Sequence, residues 1–343
     1  MAQINKPSDY FNTVLYTGTG ATLSITGVGF QPDFVWTKGR SVAYSHYLMD
    51  SVRGVGRRIM SNSTSNEDIN IFGVSSFDSD GFTLGTDTGA NNNGSTFASW
   101  NWLASNTTAS NTDGSIASTV SANTTAGFSI VTYTGTGATA TFGHGLGASP
   151  SMVIIKDRTN GTKNWTCYHQ AMGNDRSIFL NLTDAQTVPT DHWQYTTPSN
   201  SVVYIGDYSH INTNTDDYIA YCFAEKKGFS KFGSYTGNGS TDGTFAYTGF
   251  KPAFVLLKNA DDGTRSWYTF DNKRNTFNAT NSWLAPNLSN AEGSLTSGVD
   301  FLSNGFKVRE STTAFNGSGN TFIYMAFAEN PLVGTNNIPT TAR

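Results

Sequence analysis

The sequence predicts an all-β protein made of three tandem antiparallel β-sandwich repeats, and three observations carry that expectation. The first is composition. Charged residues make up only 13% of the 343, against roughly a quarter in typical soluble proteins, while Gly (35) is abundant and aromatics reach 13%. β-Branched and aromatic side chains fit pleated, half-buried surfaces, and Gly and Asn supply positive-φ turn positions. The balance therefore favours short strands with polar turns over helical bundles. The second is an internal repeat: YTGTGATLSITGVGFQPDFVWTK (Tyr16 to Lys38) recurs as YTGTGATATFGHGLGASPSMVIIK (Tyr133 to Lys156) and as YTGNGSTDGTFAYTGFKPAFVLLK (Tyr235 to Lys258), with a near-constant Tyr-to-Lys offset. The third is the regular punctuation of apolar runs by Gly, Asn, Asp, Ser and Pro within each unit.

In the first unit the strand signals fall in order at Phe11 to Tyr16, Thr22 to Thr26, Phe34 to Thr37, His46 to Met49, Arg58 to Met60, Ile69 to Val74, Phe82 to Gly85 and Phe97 to Leu103. HYLMDSVRG (from His46) aligns with WTCYHQAMG (from Trp165) and WYTFDNKRN (from Trp267), and RRIMSNSTSNED (from Arg57) with RSIFLNLTDAQT (from Arg176) and NSWLAPNLSNAEG (from Asn281). Each unit closes on a similar string: FASWNW (Phe97 to Trp102), YIAYCF (Tyr218 to Phe223) and FIYMAF (Phe322 to Phe327). There Ala98/Trp100/Trp102, Ile219/Tyr221/Phe223 and Ile323/Met325/Phe327 form one apolar face directed at a core. About eight short strands per unit suit a jelly roll or an immunoglobulin-like sandwich, and the count favours the jelly roll.

These signals divide the chain into a first repeat at 1–104, a Ser/Thr/Asn-rich linker at 105–126, a second repeat at 127–227, a third at 228–330 and a C-terminal arm at 331–343. The linker has little to bury and reads as extended, whereas units two and three meet over Lys226 to Phe229. A stiff pair with a more loosely attached first unit is the expectation.

Charge narrows the partners. Lys+Arg 21 against Asp+Glu 25 lacks the basic excess that drives binding to phosphate backbones, so nucleic acid is not an expected partner. The first sixteen residues lack a signal-peptide core, and no run reaches the roughly 18 apolar residues of a membrane span, so the expectation is a soluble chain without an export signal or a membrane partner. Two cysteines, Cys167 and Cys222, are too few for a disulfide framework and read as free thiols.

Catalytic and metal motifs are absent: there is no GK[ST] phosphate loop, GxSxG, HExxH or zinc-spaced Cys pair, and the five His residues share no repeat position. No cofactor, metal site or catalytic residue is expected. Asp78 and Asp80 before Gly81 could begin a calcium loop, but Ser303-Asn304-Gly305 stands at the same place in the third unit, so a turn is the simpler reading. The recurring Asn62-Ser63-Thr64, Asn181-Leu182-Thr183 and Asn287-Leu288-Ser289 read as side-chain-to-backbone hydrogen bonding in a shared turn rather than as glycosylation acceptors. The most variable segments are the loops after the third strand and before the closing strand. Their polar and aromatic residues Tyr44, Asn92, Tyr208, His210, Phe315 and Asn316 are the candidate ligand contacts, since such groups hydrogen-bond and stack on sugars.

YTGNGSTDGTFAYTGFKPAFVLLK, INKPSDYFNTVLYTGTG with GFQPDFVWTK, YIAYCF, FLSNGFKV and FIYMAFAENPLVG resemble a repeat family found in virion proteins of tailed bacteriophages, especially marine ones, over Ile4 to Gly334. The resemblance implies lectin-like sandwich domains in a tail-fibre or other surface structural protein, assembled in the host cytoplasm and carried on the virion surface. The implied partners are other virion proteins of tail or capsid and host-surface carbohydrate, with a homo-oligomer, a trimer by virion symmetry. A non-enzymatic receptor-binding adhesin is the leading expectation. A capsid decoration protein is the alternative, since the first unit begins without an anchoring module, and a glycan-degrading enzyme built on a carboxylate pair or a Ser/His/Asp set is the third reading.

Overall fold

The computed structural model describes residues 3–328, and the arm expected at 331–343 lies outside them. The fold is all-β, with antiparallel sheets and a few short helical turns. In each unit the first strand pairs with the last: Phe11–Thr17 with Thr96–Trp102, Phe128–Thr134 with Asp217–Phe223, and Ser230–Thr236 with Thr321–Ala328. The closing strand pairs on its other edge with Phe34–Gly39, Met152–Asp157 or Pro252–Asn259. These run directly into Tyr47–Asp50, Thr166–His169 and Trp267–Asp271 in the same sheet. A second, smaller sheet lies over each: Leu23–Ile25, Gly81–Leu84 and Val74–Asp78 in the first unit, and Ala140–Gly143 with Val202–Ile205 in the second. In the third it holds Phe245–Tyr247, Gly305–Val308, Gly293–Leu302 and Thr280–Trp283.

Both faces of each main sheet are buried. Val35, Val153 and Val255 face their own second sheet in three separate cores. Phe34 and Trp36, Met152 and Ile154, and Phe254 and Leu256 face the other way, into one core shared by all three units. Two-sided burial is why the third strands read as the unbroken apolar runs FVW, MVII and FVLL rather than as an alternation. The closing-strand face Ala98/Trp100/Trp102, with its counterparts in the other units, also points into the shared core. There Phe34 stacks on Tyr221 at 4.3 Å, Phe11 on Phe327 at 5.1 Å, and Trp102 meets Phe254 edge-on at 6.0 Å.

Polar contacts close the ring of units. At the end of the fourth strand, Asp50 accepts from the Tyr221 hydroxyl (2.8 Å), the His169 ring bonds the Tyr324 carbonyl (3.1 Å), and Asp271 accepts from the Trp100 indole (3.1 Å). The first unit thus meets the second, the second the third, and the third the first. The same order holds at the rim, where the amides of Glu67, Gln186 and Glu292 donate to the carbonyls of Arg158, Ala260 and Arg40.

The first unit is therefore not loosely attached; it supplies Phe11, Trp36, Trp100 and Trp102 to the common core. The segment read as an extended linker holds strands Ala109–Asn111 and Ser118–Asn123, which extend the main sheet of the second unit. Backbone pairing needs little apolar side chain, and Ile116 and Val120 supply the burial that fixes this segment in place.

The repeated strings have local causes. Tyr16, Tyr133 and Tyr235 each donate the hydroxyl to a carbonyl of the short helix before the closing strand: Ala90 (2.8 Å), Ile211 (2.6 Å) and Phe315 (2.7 Å). The following glycine packs on backbone, and a Cβ on Gly18, Gly135 or Gly237 would collide with the carbonyl of Asn92, Thr213 or Gly317. Lys38, Lys156 and Lys258 are buried and donate to the carbonyls of Gly39, Asp157 and Asn259; burial pushes each ammonium down to about 8.

Candidate functional site

The loops before the closing strands each contain a short helix, Thr88–Asn91, Ser209–Asn212 or Thr313–Asn316, that ends on a buried asparagine. Asn316 donates to Asn238 and to the Ser240 carbonyl and accepts from the Asn238 amide. Asn91 and Asn212 hold the Thr19 and Thr136 amides in the same way. The helix therefore locks the opening YTGxG hairpin, and Asn316 is completely buried with both amide hydrogens engaged, out of reach of a ligand. Phe315 is also buried, packed on Tyr268 and Phe270. Both expected contacts are corrected to structural residues. Asn92 is half-buried and donates to Ser95, and Tyr44 is half-buried in the loop before Tyr47–Asp50.

Of the sequence candidates, Tyr208 and His210 are the pair that the fold joins. The Tyr208 hydroxyl lies 2.9 Å from His210 Nδ1, and its ring stacks on His192 at 3.7 Å, while His192 Nδ1 lies 3.0 Å from Ser177 Oγ. Burial lowers His192, and burial with the nearby Lys163 and Lys156 charges pushes His210 down to about 4, so both rings are neutral at pH 7. A Ser–His contact invites comparison with an activated nucleophile, which must reach a substrate carbonyl. Ser177 is completely buried, and the ring beside it is covered by Tyr208. The cluster is a packed hydrogen-bonded stack.

The remaining motifs resolve as turns. Asp80 accepts from the Gly27 and Gly29 amides at 3.0 and 2.6 Å and Asp78 from Thr83, so the paired carboxylates hold a turn. Asn62, Asn181 and Asn287 each accept from the backbone at the start of the fourth strand, at His46, Trp165 and Trp267 (2.9–3.0 Å). Cys167 faces the shared core and Cys222 the second unit's own core; both are free, and burial pushes both thiols up. Among the described residues no cluster of three or more metal-ligating side chains occurs.

A different surface combines exposure with chemistry. On the second sheet of the third unit, Ala246 points inward, and Phe245 and Tyr247 point out, 40% and 62% exposed. Phe245 stands opposite Lys307, and Lys307 opposite Asp300, so the three form a row on one face. Gly305, opposite Tyr247, leaves room for the Phe245 ring; a Cβ there would come within 2.8 Å of it. Lys307 pairs with Asp242 at 2.7 Å, and Arg309 pairs with Asp300 at 2.7 Å and reaches Asp242 at 3.4 Å. The hydrogen bond and charge of Lys307, with Arg309 nearby, hold the exposed Asp242 carboxyl below its usual range. A shallow depression bounded by Thr241, Thr296, Ser297, Asp300 and Arg309 adjoins this row.

The first, third, fourth and closing strands pair alike in each unit, and a single family model, that of a domain of unknown function (DUF7483), matches residues 6–331. The chain belongs to the DUF7483 family. That one DUF7483 model spans all three units accords with their shared core, to which every unit contributes buried apolar residues. No curated protein matches the sequence.

Sequence reasoning missed the outward face of the third unit. Its signal was the string Phe-Ala-Tyr, in which aromatics alternate with a small residue. Period-2 alternation separates two faces without saying which one is exposed, and here the pairing of Ala246 with the buried Phe306 decides it.

Proposed function

We propose that this DUF7483 protein is a non-enzymatic surface protein of a tailed-bacteriophage virion, acting as a receptor-binding adhesin toward host-surface carbohydrate. In this reading the three units are copies of one lectin-like sandwich. The first–last pairing and the pairing of the second strand with a late one support a jelly-roll ancestry; the third and fourth strands, side by side in one sheet, are a departure from it. The observation that carries the proposal is the common core. Each unit turns one sheet inward and the other outward, so a single rigid body displays three outer surfaces at fixed spacing. Rigid presentation lowers the ordering cost of binding, and repetition of the body on a particle multiplies weak contacts by roughly 10² to 10⁴.

A second reading, a head-decoration protein, is favoured by the cyclic order of the three seams, which suits a site of local threefold symmetry on a capsid. Immunogold labelling of intact particles with copy-number measurement separates the two. The adhesin predicts gold on the tail at low copy and binding of purified protein to host cells. Gold over the head at high copy, without cell binding, replaces it with decoration.

A further inference from the structure

We propose that the outer face of the third unit's second sheet is a carbohydrate-binding site for an uncharged pyranose. Phe245 and Tyr247 form the stacking surface, and Asp242 and Arg309 are the partners for ring hydroxyls. This rests on the surface-binding reading above and assigns its site and ligand class. Two aromatic side chains exposed on one face of one short strand give a surface suited to the apolar face of a sugar ring. Asp242 is 79% exposed in its side chain and is held ionised, so its oxygens can accept from vicinal hydroxyls, and the Arg309 guanidinium beside it can donate. The charges on the face are Lys307 and Arg309 against Asp242 and Asp300, two of each sign and mutually paired. Such a balanced set gives no net attraction to a sulfated or sialylated sugar and suits a neutral one.

The other two units serve as an internal comparison. At the equivalent outward position the first unit has Ser24, whose hydroxyl lies 3.1 Å from Thr83 Oγ1. The second unit has Thr141, whose hydroxyl and carbonyl are engaged by the Ser115 and Ile116 amides. The fold therefore does not require aromatic rings at this place. Among the three units the exposed pair is particular to the third, and it contributes little to that unit's core.

The test uses the full chain in affinity electrophoresis through gels containing a neutral galactan or dextran, with polysialic acid as the charged comparison and host-cell binding scored in parallel. The expected result is retardation by a neutral polymer, weakened about tenfold or more by Tyr247→Ala and Phe245→Ala and less by Asp242→Asn, with unchanged melting temperatures. The site assignment is overturned if Tyr247→Ala binds like the parent, or if the loss follows Phe277→Ala in the separate cleft at Asn275, Asn278 and Ser303. Retardation by polysialic acid alone overturns the ligand class. Cell binding that survives Tyr247→Ala leaves the adhesin standing with its site elsewhere, whereas a parent protein that binds neither polymer nor cells overturns both.

Discussion

Arg158 of the second unit grips Glu67 of the first through two parallel hydrogen bonds, both 3.0 Å. Arg40 of the first unit grips Glu292 of the third in the same way, at 3.0 and 2.9 Å. At the remaining seam the direction is reversed, and the Gln186 amide donates to the Asp261 carboxylate at 3.0 Å. Glu67 also pairs with Arg57 and with the buried Arg53. Burial raises its carboxyl, but Arg158, Arg53 and Arg57 outweigh that and hold it below the usual range.

A carboxyl depressed in the folded state stabilises fully above its unfolded value, about 4.3, and that contribution is lost as pH falls through the lower folded value. Glu67→Gln is therefore expected to destabilise the protein by ~2–4 kcal/mol at pH 7, because Arg53 is left buried without that partner charge, and by much less near pH 3. Denaturant unfolding at the two pH values checks this; an equal loss at both would mean that the charge is not what matters.

The shared core predicts a single unfolding event. If the units melted separately, calorimetry would show several transitions. With Phe11, Trp102, Tyr221, Phe254 and Phe327 packed together, one cooperative transition is expected, with calorimetric and van't Hoff enthalpies in agreement. Trp102→Ala should lower the stability of all three units together by ~3–5 kcal/mol. A separate low-temperature transition for the first unit would contradict the common core.

The buried asparagines ending the short helices are the third point of test. Asn91 accepts from the Thr19 amide and donates to the Ala21 and Gly85 carbonyls, and Asn212 repeats the set with Thr136, Ala138 and Gly206. Asn212→Ala strands the buried Gly206 carbonyl and removes the part-buried bonds to the Thr136 amide and Ala138 carbonyl, and should cost ~1–3 kcal/mol, whereas Tyr133→Phe, which removes one hydroxyl bond to the Ile211 carbonyl, should cost ~1 kcal/mol. Thermal melts of both variants give the comparison. Asn212→Asp should fare no better than alanine, since a carboxylate would face two carbonyls.

Much of this was legible in the sequence because the repeat preserves interactions as well as residues. Tyr16, Tyr133 and Tyr235 mark the first strand of each unit, and each closing string marks the last. The shared core was harder to see. Trp36 and Val35 are both apolar, and only pairing shows that they serve different cores. The strand Ser118–Asn123 was hidden by its hydroxyl-rich composition, because it contributes mainly backbone hydrogen bonds and two apolar anchors. Phe315 looked like a loop aromatic because a four-residue helix is too short to display a buried face as periodicity.

One contact has no precedent in the repeat. Asp157 and Asp216 of the second unit are neighbours, and the Oδ2 atom of each is buried without a hydrogen-bond partner. The third unit places Asn259 and Asn320 there, amide to amide at 3.3 Å, while the first has Gly39 and Ser95. Like charges held side by side disfavour ionising both, so the pair is expected to share one proton. Burial raises the Asp157 carboxyl above its usual range, and the Asp216 charge adds to this against the Thr159 and Asn160 amides that favour the ionised form. Lys156, Tyr133 and Tyr218 are the other titratable groups around the pair. A raised acid stabilises fully below its unfolded value, about 3.9, and that stabilisation disappears as pH climbs through the folded value. The parent protein should therefore lose stability on going from acid toward pH 8 relative to Asp157→Asn, which copies Asn259 and its turn, so that the gap between their melting temperatures widens with pH. A carbonyl stretch of a protonated carboxyl, seen by infrared difference spectroscopy in the parent and absent in Asp157→Asn, would identify the proton; a gap that stays constant with pH would mean that the pair carries none.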